Sequence, residues 1–282
     1  HEIQARPGER LLDLVNNLGL QGSSLSDQPL AAKLAGEVFT LNYVPLREKD
    51  AQSDRPSVRR AMAASNGEIR LLRYRDSAGK ECYIRTAQFV IFLALRQLWP
   101  EARAKMNCTL GSSVYVQVMG SPDFSVERLT TRMRELVEQN IPLIRRRVPL
   151  TEAVERYHAD GQCDKARLLS WRPWDFFDEY AYGDFADYYY GEMAPSTGYL
   201  TVWELLPADG GFILLYPDDD NPDSLAKRPS MPNFFSVFNE GERWCALMDC
   251  ETIADLNALT TSGKIRELIR VNEALHEKKY AQ

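Results

Sequence analysis

The side chains best suited to chemistry in this chain lie in residues 183–200, GDFADYYYGEMAPSTGYL. Asp184, Asp187 and Glu192 could pair as general acid and base, although acids beside tyrosines more often accept structural hydrogen bonds. The tyrosines at 188–190 could stack on a base or nucleoside through their ring faces, which requires no reactive group. Successive side chains of an extended segment point to opposite faces, so one or two tyrosines would line a cavity while the others pack or meet solvent. The segment is therefore a reaction site, a binding wall, or a former site that has lost its chemistry.

The other candidate groups favour structural roles. His158 lies on an expected helix without a serine or cysteine partner in the pattern, and His276 lies in a charged terminal helix. The five cysteines form no CxxC pair and are odd in number, which indicates reduced thiols rather than disulfides. Three consecutive acids at 218–220 would splay apart, so they predict an exposed turn rather than a cation site. No G-x-x-x-x-G-K-[ST] sequence occurs, so the chain has no phosphate-binding loop of that type.

Composition is that of a globular protein with hydrophobic cores. The chain has 282 residues, of which 44% are hydrophobic and 26% charged, and this length predicts two domains. Its formal net charge of -6 opposes broad attraction to nucleic-acid phosphates, although the arginines at 145–147 could touch a phosphate or form a solvated strand edge. No apolar run approaches the roughly 18 residues of a membrane-spanning helix, and no signal peptide is recognisable, so we expect a cytoplasmic protein without a membrane partner.

The elements that must position these groups begin with a small N-terminal unit. Residues 2–20 predict a strand, a turn at Pro7-Gly8 and an amphipathic helix, and two strands are predicted around Gly36. A polar stretch at 47–68 follows, read as a loop or a loop with one short helix, and then a strand, a turn at 77–79 and a return strand. Several short strands around one helix favour a β-grasp fold.

A larger unit begins where the hydrophobic period changes at Thr86. A helix that is apolar on most sides runs from there to Pro100 and should be buried against a sheet. Further strands and helices follow, including a helix capped by Ser125, a helix capped by Thr151, and a terminal helical stretch interrupted near Gly263. Together the patterns predict an α+β fold, with a β-grasp N-terminal domain, a larger α/β domain and C-terminal helices.

Several strings resemble a known combination of domains. YIRTAQFVIFLALRQLWP and GDFADYYYGEMAPSTG lie where threonyl-tRNA synthetases carry the HxxxH helix and the Asp-x-Cys-x-Gly-Pro-His-x-Pro signature of their editing domain, which follows a TGS β-grasp domain. The chain resembles more closely the N-terminal region of bacterial nucleoside kinases of the uridine kinase and phosphoribulokinase type, through DYYYGEMAPSTGYL, ADLN and RVNEALHEKK. This resemblance implies a TGS-like domain at 1–82, a degenerate editing-like domain at 83–250, and a helical segment at 251–282 that leads toward a kinase domain.

The resemblance also implies a site without its reactive groups. The two helix histidines of the editing family correspond to Arg85 and Phe89. Its cysteine corresponds to Tyr189 and its later histidine to Met193, while Asp187 is a matching acid. A guanidinium, a phenyl ring, a neutral phenol and a thioether cannot replace imidazole and thiolate in moving protons or binding zinc, so we expect neither catalytic residues nor a metal.

The candidate ligand-binding residues are Arg85, Phe89, Asp187, Tyr188, Tyr189, Tyr190 and Met193. Two interpretations of this set stay open. Either a planar ligand stacks among the tyrosines, or Phe89, Tyr189 and Met193 fill the former pocket as core.

The leading functional hypothesis is a non-catalytic accessory region, with a ligand-binding, regulatory or assembly role, of an ATP-dependent nucleoside kinase. The resemblance implies ATP and magnesium for the kinase domain and no cofactor in this chain. The implied partners are the P-loop kinase domain of the same protein and a nucleoside or nucleotide. Two alternatives stay open: an ester or aminoacyl-tRNA hydrolase that uses Asp187 with Glu192, and an RNA-interaction module, which the negative charge disfavours.

Overall fold

The computed structural model describes residues 8–34, 36–45, 68–229 and 234–281. The chain divides into two compact units, the first of His1–Arg146 and Glu179–Pro229, the second of Arg147–Asp178 and Ser230–Gln282. The elements in chain order are α1 (Leu11–Asn17), β1 (Ala31–Leu34), β2 (Glu37–Thr40), β3 (Ile69–Leu72), α2 (Ser77–Leu98), β4 (Arg103–Thr109), β5 (Ser113–Met119), α3 (Val126–Glu138), β6 (Arg145–Pro149), α4 (Leu150–Ala159), α5 (Cys163–Leu169), β7 (Phe176–Tyr182), β8 (Phe185–Asp187), a 3-10 turn (Thr197–Tyr199), β9 (Glu204–Ala208), β10 (Gly211–Leu215), α6 (Phe234–Leu247), α7 (Ile253–Thr261) and α8 (Ile265–Tyr280). The predicted α+β class is confirmed.

The N-terminal part of the first unit combines α1 with a small antiparallel sheet of order β2-β1-β3. The hairpin predicted around Gly36 is confirmed, and this glycine adopts the positive φ, 88°, that the turn requires. The apolar face of α1 packs against sheet side chains such as Ala32 and Phe39. The strand predicted at the start of the chain, and nearly all of the loop predicted at 47–68, lie outside the described residues. The β-grasp topology therefore stays a prediction.

Helix α2 replaces the turn and return strand that the sequence predicted after β3. The carboxylate of Asp76, the N-cap residue, accepts a hydrogen bond from the backbone N–H of Arg73 at 2.9 Å, which closes the turn ahead of the helix. Gly79 lets the first helical turn lie on that loop, because a Cβ there would come within 2.0 Å of the Arg73 carbonyl oxygen. The helix consequently starts well before Thr86, and residue 82 lies inside it. The predicted domain boundaries themselves stay predictions.

The main hydrophobic core of the first unit joins α2 and α3 to a four-stranded antiparallel sheet of order β4-β5-β10-β9. As predicted, α2 is buried, and α3 begins at a cap where the Ser125 hydroxyl accepts a hydrogen bond from the N–H of Arg128 at 3.3 Å. Strand β4 was not predicted. Its pairing with β5 shifts register between Met106 and Cys108, and this irregularity interrupts the alternation that the sequence pattern relies on.

A third sheet, of order β6-β7-β8, leads into the tyrosine segment. Strands β7 and β8 form an antiparallel hairpin in which Tyr180 pairs with Asp187 and Tyr182 with Phe185. Strand β8 was not predicted as separate from β7. It ends at Asp187, so the three tyrosines that follow lie on the loop leaving this hairpin.

The second unit is mostly helical, with α4 packed on α5 and α5 on α7. Thr151 was predicted to cap α4, but the N-cap residue is Pro149 and the helix begins at Leu150, two residues earlier than predicted. The N–H of Leu150 donates to the Asp175 carbonyl at 2.9 Å. Helices α5 and α6 were not predicted. The predicted break near Gly263 is confirmed, since α7 and α8 are separated there by a residue with φ of 76°. Among the helices of the described residues, none combines the length and apolar character needed to span a membrane.

Candidate functional site

The candidate residues meet where α2 faces the β7–β8 hairpin and the loop that follows it. Arg85 and Phe89 lie four residues apart on α2, which places them on one helix face. The Phe89 ring packs against three aromatic rings, with centroid distances of 5.4 Å to Phe185, 6.3 Å to Tyr189 and 6.5 Å to Tyr180. The structure therefore brings Phe89 and Tyr189 together, with Arg85 one turn away on the same face of α2.

Three of the four positions that the resemblance matches to reactive groups, Phe89, Tyr189 and Met193, lie in or against the main core. Phe89 and Met193 have 0% exposed surface, and Tyr189 packs against the same cluster as a partly buried residue. Edge-to-face aromatic contacts of this kind add to the stabilisation from apolar burial. The geometry matches the interpretation in which aromatic and thioether side chains fill the former pocket.

Arg85 lies against the backbone of the tyrosine segment. Its guanidinium donates to the Glu192 carbonyl oxygen at 3.1 Å and pairs with the Glu81 carboxylate one turn earlier on α2. Gly191 makes this approach possible, because a Cβ at this position would lie 2.6 Å from the Arg85 Cζ. The same glycine has φ of 134°, a conformation that side chains disfavour. Position 191 therefore requires glycine for two reasons: the backbone has a conformation that other residues disfavour, and the Arg85 guanidinium occupies the space where a side chain would lie.

Glu192 is held in an ion-paired network that the sequence did not reveal. Its carboxylate accepts a hydrogen bond from Arg145 at 2.7 Å and another from the Tyr180 hydroxyl at 3.2 Å. Burial, and then the charge of Glu192, raise the pKa of Tyr180 well above the ordinary value for tyrosine, so this hydroxyl stays a donor. The Tyr180 oxygen also accepts from the backbone N–H of Met193 at 3.2 Å. Glu192 therefore fixes the loop in place and is not available as a general acid or base.

Asp187 is the acid that matches the editing signature, and it is almost completely buried. Its Oδ1 accepts a hydrogen bond from the backbone N–H of Tyr188 at 2.9 Å, which orders the exit from β8. Glu192 is likewise engaged by Arg145. The two carboxylates that the hydrolase alternative would use, Asp187 and Glu192, therefore both accept structural hydrogen bonds.

Tyr188 is half-buried and Tyr190 is exposed. Their rings lie edge to face with centroids 5.6 Å apart, and Tyr190 is 73% exposed. Tyr189 packs on the core cluster, while the ring of Tyr190 lies mostly in solvent. Any stacking on these tyrosines would take place on the surface of the first unit.

Several anchors of this loop carried no signal in the sequence. The Thr86 hydroxyl accepts from the N–H of Ala194 at 2.9 Å and donates to the Cys82 carbonyl at 2.8 Å. The Asn42 amide donates to the carbonyl oxygens of Pro195 at 2.7 Å and Leu143 at 3.1 Å. Apart from the contact of Thr86 with Cys82 one turn earlier, these contacts link residues more than a hundred positions apart, so no local pattern could have indicated them.

The arginines at 145–147 are engaged by acids rather than available for phosphate. Arg145 pairs with Glu192 at 2.7 Å, and Arg146 pairs with the fully buried Glu179 at 2.7 Å. Arg147 pairs with Asp178 at 3.1 Å. Across the described residues, no three histidine, cysteine or acidic side chains converge in an arrangement that could hold a metal ion.

The curated proteins most similar to the chain that we compared are all threonine–tRNA ligases. No family model matches the chain. It is 27% identical to a threonine–tRNA ligase of Clostridium kluyveri over 215 residues, which cover 75% of this chain and 30% of that protein. It is 26% identical to the enzyme of the same name from Desulforamulus reducens over 209 residues (73% and 30%), and 24% identical to that from Aromatoleum aromaticum over 234 residues (79% and 33%).

The chain thus spans about a third of the length of the curated relatives that it matches. These relatives support the resemblance to threonyl-tRNA synthetases. They carry no support for a TGS domain or for a nucleoside kinase as the parent protein. Over about three quarters of its length, the chain is similar to part of threonine–tRNA ligases, with an editing-like region as the segment concerned.

Proposed function

We propose that this chain is an RNA-interaction module of the threonyl-tRNA synthetase editing type that has no hydrolytic activity. One observation supports the proposal: the interior of the matched region is filled by apolar side chains, while an aromatic ring is exposed at its surface. Phe89 and Met193 are fully buried at positions where the editing family has histidines, whereas Tyr190 presents an open ring to solvent.

The interior cannot support ester hydrolysis. Hydrolysis needs a group that activates water or a nucleophile, and it is aided by donors that stabilise the developing oxyanion. A buried phenyl ring and a thioether supply neither, and the nearby carboxylates of Asp187 and Glu192 accept structural hydrogen bonds. The guanidinium of Arg85 acts as a hydrogen-bond donor to Glu192 and Glu81, and an arginine side chain has no acceptor that could serve as a base.

The pair of Tyr188 and Tyr190, of which Tyr190 is exposed, supplies the binding chemistry. Single-stranded RNA is recognised largely by stacking unpaired bases on aromatic rings, which contributes about 1–3 kcal/mol per base. Tyr188 and Tyr190 form such a surface, and the relatives are ligases named for their action on tRNA. Because the chain is acidic and its arginines at 145–147 are ion-paired, we expect binding of modest affinity.

The experiment titrates fluorescently labelled tRNA with the purified chain at low salt and measures anisotropy. We expect saturable binding, weakened about tenfold by Tyr190→Ala, since the loss of one stacked base is worth about 1–3 kcal/mol. Tyr280→Ala is the matched control, because Tyr280 is 85% exposed on α8 in the second unit. Equal binding by wild type and Tyr190→Ala, or no binding of tRNA at low salt, would refute the RNA assignment.

A parallel assay tests the absence of chemistry. Seryl-tRNA incubated with the chain should lose its amino acid at the buffer rate, and protein purified without chelators should contain far less than one zinc per chain. Deacylation that disappears in Asp187→Ala would show that the site has been rebuilt from other residues. Stoichiometric zinc would contradict the filled interior in the same way.

The finer proposal concerns the parent protein and a smaller ligand. Under it, the module precedes the P-loop domain of a uridine-type nucleoside kinase that binds ATP and magnesium, and a nucleoside stacks on the tyrosine pair. The chain itself should form no nucleotide from ATP and a panel of nucleosides. A GxxxxGK[ST] sequence in the natural reading frame after Gln282 would support this parent, and a synthetase catalytic core there would exclude it. Competition of nucleosides with tRNA on wild type, but not on Tyr190→Ala, would identify the smaller ligand.

A further inference from the structure

The turn after α6 brings two cysteines of the second unit together. The backbone N–H of Cys250 donates to the carbonyl oxygen of Cys245 at 3.0 Å, and the N–H of Asp249 donates to the carbonyl oxygen of Ala246 at 3.2 Å. Asp249 lies between them with a positive φ of 50°. Two such hydrogen bonds around a left-handed residue define the Schellman motif, which ends many helices. Helix α6 accordingly ends at Leu247, and Cys250 is the residue that closes the motif.

The motif limits how far apart the two cysteines lie. A hydrogen bond joins the N–H of one to the carbonyl oxygen of the other, so standard backbone bond lengths keep their Cα atoms less than about 7 Å apart. Disulfides usually span Cα–Cα distances of about 4.4–6.8 Å. The side chains at these two positions of a Schellman motif commonly contact one another across the turn. The backbone therefore places residues 245 and 250 within reach of a disulfide.

Both thiols are open to a reagent and close to one another. Cys245 and Cys250 are half-buried, whereas Cys82 has no exposed surface. Burial first, and then Asp255 and Cys245, raise the pKa of the Cys250 thiol, so Cys245 is near enough to influence its neighbour electrostatically. Solvent access and proximity are the two conditions for a pair of cysteines to react in sequence with one oxidant.

Packing alone does not require sulfur at these positions. Any two apolar side chains could make the contact across a Schellman turn. A single accessible thiol can take up a reversible adduct from a small disulfide, and a second thiol beside it can displace that adduct. The turn after α6 supplies this second thiol five residues from the first.

We propose that Cys245 and Cys250 are a redox-active pair that forms a reversible disulfide, with a small disulfide such as oxidised glutathione as the oxidant. The thiolate of one cysteine attacks a sulfur of oxidised glutathione, which forms a mixed disulfide and releases one glutathione. The thiolate of the other cysteine then attacks the protein sulfur of the mixed disulfide and releases the second glutathione. The pair gives up two protons and two electrons, which convert oxidised glutathione into two glutathione thiols. This site is independent of RNA binding by the tyrosine pair.

The experiment incubates the purified full chain with oxidised glutathione at pH 8, quenches it with acid and analyses tryptic peptides by mass spectrometry without reduction. Both cysteines lie on one tryptic peptide, residues 244–264, so oxidation should lower the mass of this peptide by two hydrogens. Dithiothreitol should restore the original mass. Cys163→Ser is the matched control, because it removes an exposed thiol of the same unit and should leave the oxidation of the peptide unchanged.

Single replacements separate the two steps. Cys245→Ser and Cys250→Ser each leave one thiol on the peptide, so each variant should keep a glutathione adduct that the wild type displaces. Circular dichroism checks that each variant is folded. A wild-type peptide of unchanged mass, an adduct that persists in the wild type, or a disulfide from this peptide to another cysteine or a second chain would each overturn the proposal.

Discussion

Truncating Phe89 tests whether the position that the resemblance matches to a reactive histidine is now core. The ring has no exposed surface and contacts the rings of Tyr180, Phe185 and Tyr189. Replacing a buried phenylalanine by alanine costs about 3–5 kcal/mol, through lost apolar burial and the cavity that remains. Because three aromatic contacts are lost with the ring, we expect about 4–5 kcal/mol of lost unfolding free energy for Phe89→Ala.

The measurement is urea unfolding of the first unit, followed by near-ultraviolet circular dichroism of its aromatic cluster. In a unit of this size each kcal/mol lowers the unfolding midpoint by about 2–4 °C, so the thermal midpoint should fall by about 8–20 °C. Tyr190→Ala is the control, and we expect it to change stability by less than about 1 kcal/mol because its ring is largely in solvent.

A second measurement uses the cavity itself. An apolar cavity left by a large core side chain stays dry and can bind a small aromatic molecule. Benzene should therefore raise the unfolding midpoint of Phe89→Ala and leave that of the wild type unchanged. A loss of less than about 1 kcal/mol in Phe89→Ala would mean that the ring lines an open, hydrated pocket, and the filled-site argument would fail.

Three further outcomes follow from single positions. Gly191→Ala should cost the first unit about 1–3 kcal/mol in urea unfolding, because φ is 134° and a Cβ there displaces the Arg85 guanidinium; an unchanged midpoint would contradict this. Burial raises the pKa of the Cys82 thiol to about 12, so at pH 8 a maleimide should label exposed Cys163 in the native chain and Cys82 only after unfolding, as read by mass spectrometry of peptides. Hydrogen bonding to Thr252, the N-cap residue of α7, lowers the pKa of Asp255. The stabilisation of the fold by this carboxylate is therefore present above the ordinary pKa of aspartate and is lost as pH falls through the lowered pKa. Asp255→Asn should cost about 0.5–2 kcal/mol of unfolding free energy at pH 7, and this difference should disappear in strong acid.

The amino-acid sequence by itself determined the elements whose signals are local. The hairpin at Gly36, the cap at Ser125 and the helix break at Gly263 each depend on one residue whose backbone preference or side-chain hydrogen bond acts within a few positions. The sequence also determined that the matched site lacks imidazole and thiolate, since residue type alone decides which groups can exist there.

Only the tertiary structure decided what that site became. The helix that replaces a predicted return strand depends on Gly79 lying against the carbonyl of Arg73, and the sequence pattern showed only a turn at that point. The pairing of Glu192 with Arg145, 47 positions away, converts a candidate acid into a structural anchor. The packing of Tyr189 on Phe89 likewise decides that Tyr189 is partly buried while Tyr190 is exposed. Such outcomes depend on side chains that are distant in sequence and meet only after folding, so no local pattern could predict them.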